Sequence, residues 1–216
     1  MLPHSEAGPR LPLPPPDYRE DKRLPLVDRP GPWTRIFRAA RADGTPYDPL
    51  FFNTAPRNRF NAPDGEFGVL YAAEQLAGAF VETFGRHLDT FLITAADLDR
   101  FHVAVVTPSR PLRLVDLRGA HLRALGLSAE IWAGRDYERS RQWSRWFYGH
   151  PDQAAGILYP CRHNPEQLAI ALFDRAASEV RADDGESLMS PRFATSVAKL
   201  MTEYGLALDD GPLSIV

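Results

Sequence analysis

The stretch Asn58–Gly85, NRFNAPDGEFGVLYAAEQLAGAFVETFG, decides how this chain is read. Its opening part is rich in asparagine, proline and glycine and holds too few periodic apolar positions for a helix. Phe67-Gly68-Val69-Leu70-Tyr71 then reads as a buried strand, an apolar run bounded by turn signals. From Ala72 to Gly85 the period lengthens. Leu76, Ala79, Phe80 and Thr83 recur at three- and four-residue steps, and Gly85 is a natural terminator, so a helix is expected. Loop, strand and helix each carry polar groups in apolar company: Arg59 and Asn61 around Phe60, Tyr71 at the strand end, and Glu82 on the helix. A glutamate near an apolar face is costly unless it is paired, hydrogen bonded or used in chemistry. Two readings stand at this point: a structural ion pair with Arg35 or Arg59, or a catalytic carboxylate.

Working outward, Trp33–Arg38 alternates bulky apolar and polar residues, the pattern of a strand with one buried face, and places Arg35 on it. The Pro/Asn/Gly-rich segment from Asp43 to Gly65 is too long for a simple connection. Because it contains Phe51, Phe52 and Phe60, an ordered loop facing a ligand is expected. Further strands are predicted at Phe91–Thr94, His102–Val106, Leu112–Asp116, Gly156–Tyr159 and Gln167–Phe173. Helices are predicted at Ala95–Arg100, Ala129–Trp132, Tyr137–Phe147 and Pro191–Tyr204. Strands and helices mix without regular βαβ alternation, which argues for a single α+β domain.

The 216 residues suffice for one sizeable core. Residues 1–32 are interrupted by prolines and should form an extended arm, either packed over the domain or strapping a partner or second subunit. Residues 33–180 form the expected main folded domain, and 181–216 a helical extension packed on it. The net charge of −3 gives no global attraction to nucleic acid or anionic membrane, so an anionic ligand needs local arginines. No apolar run approaches the roughly 20 residues that span a bilayer, and the N-terminus lacks the apolar core of a signal peptide, so a soluble cytoplasmic protein is expected. The lone Cys161 can form no intrachain disulfide and no zinc site by itself. It is either a packed small hydrophobe or half of a Cys–His nucleophilic pair. No Walker or dinucleotide glycine loop, His-Glu-x-x-His motif or recognition helix is present.

The order of these pieces resembles the RES domain family, named for its Arg, Glu and Ser. The family pattern opens with an arginine in a first strand, here Trp33-Thr34-Arg35-Ile36. It continues with Asn58-Arg59-Phe60-Asn61 and the turn Asp64-Gly65, then Leu70-Tyr71-Ala72-Ala73, then the helical glutamate in Phe80-Val81-Glu82. Gly156-Ile157-Leu158-Tyr159-Pro160-Cys161-Arg162-His163 matches a late segment in which the family has serine where this chain has Cys161. The likeness runs from Trp33 to Phe173.

The resemblance implies a mixed, ADP-ribosyltransferase-like β core with flanking helices, acting on NAD as substrate. Glu82 would be the central catalytic residue. Arg35 and Arg59 would hold phosphates of NAD or an attacking inorganic phosphate, with Phe60, Asn61, Tyr71 and Cys161 completing the NAD site. No metal is required, because nicotinamide leaves as a neutral molecule and the oxocarbenium-like ribose needs only a carboxylate beside it. The acceptor would be phosphate or water; a protein side chain, as in ADP-ribosyltransferases, or a non-catalytic binding module are the alternatives. A thiol at position 161 is a poorer hydrogen-bonding group than the family hydroxyl, which puts the acceptor in question and leaves Ser144 as another source of the hydroxyl. The family also implies a toxin role with a cognate antitoxin bearing a helix-turn-helix domain, no direct nucleic-acid or membrane partner, and room for a homo-oligomer.

Overall fold

The computed structural model describes residues 11–17, 23–85 and 91–209. Its first strands are β1 (Leu26–Arg29), β2 (Trp33–Arg38) and β3 (Val69–Ala73), followed by α1 (Leu76–Phe84). Then come β4 (Leu92–Thr94), α2 (Ala95–Asp99), β5 (Phe101–Pro108) and β6 (Leu112–Asp116). Three helices follow, α3 (Gly119–Ala124), α4 (Glu130–Ala133) and α5 (Tyr137–Gly149), before the long strands β7 (Gly156–Cys161) and β8 (Asn164–Phe173). The chain closes with β9 (Val180–Ala182), β10 (Glu186–Ser187), α6 (Pro191–Glu203) and β11 (Ala207–Asp209).

Among the described residues the main sheet runs β1-β6-β7-β8-β3-β2-β5-β10, with β9 also on β5. The β6–β7 pair is parallel and the other neighbours are antiparallel, so the sheet is mixed. Alternation along the central strands feeds two cores. Val115, Ile157, Ala171 and Phe173 face Phe60, Phe67, Ile131 and the α5 residues Trp143 and Phe147. Leu114, Leu158, Ile170 and Leu172 face the other way with Trp33 and Val106. A third cluster joins Phe80 of α1 to Ile93, Val103 and the α6 residues Val197, Leu200 and Met201. Each fully buried Val, Leu, Ile or Phe side chain among them contributes roughly 1.5–3 kcal/mol. The single α+β domain with a mixed sheet and flanking helices agrees with the sequence expectation.

Three local expectations are corrected. The helix expected from Ala72 begins at Leu76, because Ala72 and Ala73 continue β3 opposite Ile170 and Ala169. The proline-rich arm contains a strand: β1 pairs with β6, Leu26 opposite Val115. The small strands β9, β10 and β11 and helix α3 were not expected; too short for a readable period, they exist because a neighbouring element pairs or covers them. The described part of the arm lies on the domain. Trp143 Nε1 donates to the Pro12 carbonyl (2.8 Å), Arg139 Nη1 to the Leu11 carbonyl (2.9 Å), and the Leu24 N–H to Asp152 Oδ2 (2.8 Å). Residues 1–10 and 18–22 of that arm, and 210–216 of the tail, lie outside the described residues. No described helix is long and apolar enough to cross a membrane.

Candidate active site

The sheet comes apart at one place, and the site lies there. Strand β2 runs beside β5 from Trp33–Val106 to Arg38–Phe101, and β3 runs beside β8 along its whole length, yet β2 and β3 meet only at Thr34 opposite Ala73. Backbone groups exposed by the separation need partners. Arg35 supplies one for β3, its Nη1 donating to the Tyr71 carbonyl (3.0 Å), while Nη2 donates to the Phe51 carbonyl of the preceding loop (3.4 Å). Its Nε is buried with no hydrogen-bond partner. Desolvation lowers the Arg35 pKa to about 10, partly offset by Asp48. The guanidinium remains charged at neutral pH.

The separated strands wall a cleft of about 440 Å³, lined by Arg35, Arg38, Phe51, Tyr71, Glu82 and Tyr159 among others. A smaller recess of about 110 Å³ adjoins it, with Arg59, Tyr137, Arg162 and His163 in its wall. Asn58, Tyr71, Glu82 and Tyr159 border both spaces. The cleft falls in the size range of small-molecule sites.

Glu82 reaches this junction through helix geometry. It sits four residues after Gly78, one turn along the same face. A Cβ at Gly78 would lie 3.0 Å from Ala73 Cβ, so the absent side chain lets α1 approach the sheet closely. One turn further on, Glu82 Oε1 accepts the backbone N–H of Arg162 at 2.7 Å. That N–H is available because Arg162 lies in the turn between β7 and β8, beyond the last pair, Cys161 opposite Asn164.

The Arg59-Phe60-Asn61 loop is clamped rather than loose. Tyr71 Oη accepts the Phe60 N–H (2.9 Å) and donates to Asn61 Oδ1 (2.9 Å). Asn61 Nδ2 donates to the carbonyls of Asn53 (3.1 Å) and Ala55 (2.6 Å), and Ser144 Oγ donates to the Phe60 carbonyl (2.7 Å). Arg59, 7% exposed, lies over the Tyr137 ring with its guanidinium carbon 4.4 Å from the centroid. Burial lowers the Arg59 pKa, and Arg162 lowers it further, while Tyr137, Tyr159 and Glu82 oppose the shift. Burial, with Glu82 nearby, also pushes the Tyr159 phenol well up, so it stays protonated and can donate a hydrogen bond.

Of the residues singled out from sequence, Arg35, Tyr71 and Glu82 line the cleft, and Arg59 joins Tyr71 and Glu82 at the recess. Three others stand behind it. Phe60 and Asn61 are 0% exposed: Phe60 packs edge-on against Tyr159 and Asn61 ties the loop together. Cys161 is also 0% exposed, and its Sγ donates to the Gly78 carbonyl at 3.8 Å beneath α1. Burial pushes the thiol pKa up. Expected as ligand contacts, these three line neither the cleft nor the recess: Phe60 and Cys161 belong to the first core, and Asn61 is held by its hydrogen bonds within the loop. Ser144 is likewise committed to the loop. Around the recess, Asn58, Tyr137, Tyr159, Arg162 and His163 are the lining residues that sequence reasoning left without a role. Tyr159 and Arg162 stood in the matched motif, whereas Tyr137 carried no local signal.

The RES domain model matches residues 32–191, and the chain belongs to the RES domain family. It is 29% identical over 119 residues to a probable toxin, y4kH, of Sinorhizobium fredii (strain NBRC 101917 / NGR234), covering 55% of this chain and 91% of that one. Its fold is similar to that of a chain in the crystal structure of the M. tuberculosis MbcT–MbcA toxin–antitoxin complex. The TM-score is 0.54 at 17% identity, covering 83% of this chain and 91% of that one.

Proposed function

We propose that this protein consumes NAD by cleaving the bond between nicotinamide and ribose, with phosphate or water as acceptor. The observation that carries the reading is the Glu82 carboxylate, fixed by the Arg162 N–H at the point where cleft and recess meet. A carboxylate held there stabilises positive charge developing on a ribose, as in glycoside hydrolysis. The Arg35 guanidinium, with a buried donor still unmatched, suits the phosphate-bearing part of the substrate. Tyr71 offers an aromatic face beside Glu82, and its hydroxyl is engaged by the clamped loop, so the ring is held still. None of these roles needs a metal.

The named relatives are a probable toxin and a toxin–antitoxin complex, which supports reading this chain as the toxin of such a pair. The antitoxin we propose for it carries a helix-turn-helix domain and meets it in the cytoplasm. Incubation with NAD tests the chemistry. Nicotinamide release by the wild type and its loss in Glu82→Gln are expected; a wild type inert to NAD, with and without phosphate, would refute it. Labelled NAD that marks a protein in lysate, with no free ADP-ribose product, would point to transfer onto a protein instead.

A further inference from the structure

The turn that holds Glu82 does not hold itself. Two residues, Arg162 and His163, join β7 to β8. Two-residue hairpin turns that match the twist of their strands need positive φ, and neither of these residues takes it. The ladder also shifts register between Pro160 and Cys161, just before the turn. Its position therefore depends on what packs around it. One support is α1: Glu82 Oε1 accepts the Arg162 N–H, and a Cβ at Gly85 would lie 3.4 Å from His163 Cβ. The second is Tyr204, at the C-terminal end of α6. Asn164 Nδ2, in the first residue of β8, donates to the Tyr204 hydroxyl (2.9 Å). Asn164 Oδ1 accepts the Glu166 N–H (3.2 Å), which fixes how the amide is turned. The Tyr204 ring stacks on Phe80 of α1, with centroids 6.2 Å apart and planes 17° from parallel. Tyr204 thus touches both elements that Glu82 joins, the helix that carries it and the hairpin that fixes it. The chain beyond Tyr204 is tied down in turn, by the Leu206 N–H on the Met201 carbonyl (2.7 Å) and by the pairing of β11 with β4. Neither Tyr204 nor Asn164 lines the cleft or the recess. Tyr204 also lies outside residues 32–191, the stretch that matches the family.

We propose that Tyr204 is a positioning residue for Glu82: through Asn164 its hydroxyl holds the β7–β8 turn where the Arg162 N–H meets the carboxylate, while its ring braces α1. The assignment rests on the NAD-cleaving reading above. The C-terminal helix then serves the site without touching the substrate. Freed from this hold, the turn drifts, and the carboxylate is aimed at the ribose for less of the time. Misplacing a reacting group by about 1 Å can cost about 10²-fold in rate. Losing one hydroxyl from an outer support costs less than that. Substrate binding changes little, because the walls of the cleft are left intact.

Tyr204→Phe keeps the ring on Phe80 and removes the hydroxyl, and Asn164→Ala removes the other partner of the same bond. Each should lower kcat for nicotinamide release by about tenfold while the KM for NAD moves by less than about twofold. The double variant should be no slower than the slower single one, since both remove one shared link. Amide hydrogen exchange gives a readout free of turnover. The Arg162 N–H should exchange about tenfold faster in Tyr204→Phe, while amides in the middle of β7 and β8 keep their protection. An unchanged kcat in Tyr204→Phe, or an unchanged exchange rate at Arg162, overturns the assignment. So do losses that multiply in the double variant. A lower melting temperature with faster exchange throughout the sheet also overturns it, by making Tyr204 a part of the core and nothing more. If Asn164→Ala does not fold, Tyr204→Phe alone carries the kcat-against-KM comparison and the exchange measurement. A wild type inert to NAD removes the NAD reading, and the hold on the turn then stands or falls on the exchange at Arg162.

Discussion

The Arg162 backbone N–H donates to Glu82 Oε1 at 2.7 Å, joining helix α1 to the turn between β7 and β8 at the edge of the cleft. A backbone donor cannot be removed by side-chain substitution, so Glu82 variants test the carboxylate itself. Glu82→Gln keeps the shape and loses the charge. It should lower nicotinamide release by about 10²-fold or more, the scale seen when one charge-stabilising group is removed, with little change in the melting temperature. Steady-state assays beside a thermal melt check both halves.

Tyr71 serves the loop and the cleft together. In Tyr71→Phe the ring stays, but the Phe60 N–H and Asn61 Oδ1 lose their shared hydroxyl. Leaving such buried groups unmatched costs about 1–3 kcal/mol. Chemical denaturation should show that loss. Activity should fall as well, because Arg59 rides on the same loop.

Arg59 lies on the face of Tyr137, a contact that a planar guanidinium makes and an ammonium makes less well. Arg59→Lys should therefore behave more like Arg59→Ala than like the wild type when turnover is measured. Recovery of most activity by lysine would show that charge alone suffices there.

Cys161 lies in the core, and burial raises its pKa, so little thiolate forms near neutral pH. The thiolate is the reactive species. A thiol reagent at pH 8 should leave the folded protein unlabelled and label it once unfolded. Cys161→Ser should leave kcat and KM for NAD unchanged, with at most a modest loss of stability. Fast labelling of the folded protein would contradict this placement.

Asp152 latches the arm. It binds the Arg23 guanidinium (2.8 Å) and the Leu24 N–H (2.8 Å), and it is almost fully buried. Burial by itself would raise its pKa, but the Leu24 N–H, Arg23 and His150 outweigh that and hold it below the ordinary 3.8. A depressed folded-state pKa means that the stabilisation is present above pH 3.8 and is lost as pH falls through the lower folded value. Limited proteolysis should cut the arm faster as pH drops into that range, and faster at neutral pH in Asp152→Ala.

Much of the fold was legible because the period of apolar residues is a local property. Leu112–Asp116 was located to the residue, and the helix at Tyr137 began where expected. What failed was local too weakly: β1 hides among prolines, and β9 to β11 are too short for a pattern to declare itself. The site was half legible. Arg35, Arg59, Tyr71 and Glu82 were found as polar groups in apolar surroundings. Phe60, Asn61 and Cys161 shared their neighbourhood in sequence, but sequence adjacency does not say which way a side chain points. On β7 successive residues face opposite sides, so Ile157, Tyr159 and Cys161 all turn toward the first core while Leu158 turns toward the second.

The sequence by itself determined the residue types that a charge-stabilising site needs, their order along the chain, and the mixed α and β composition of the domain. Only the tertiary structure decided that β2 and β3 part company after Thr34, that Gly78 lets α1 settle onto the sheet, and that Tyr137 and Arg162 come to stand around Arg59 and Glu82. The reason is physical. Periodicity is written in neighbouring residues, whereas a cleft is made by groups far apart in sequence, whose meeting depends on how whole elements pack.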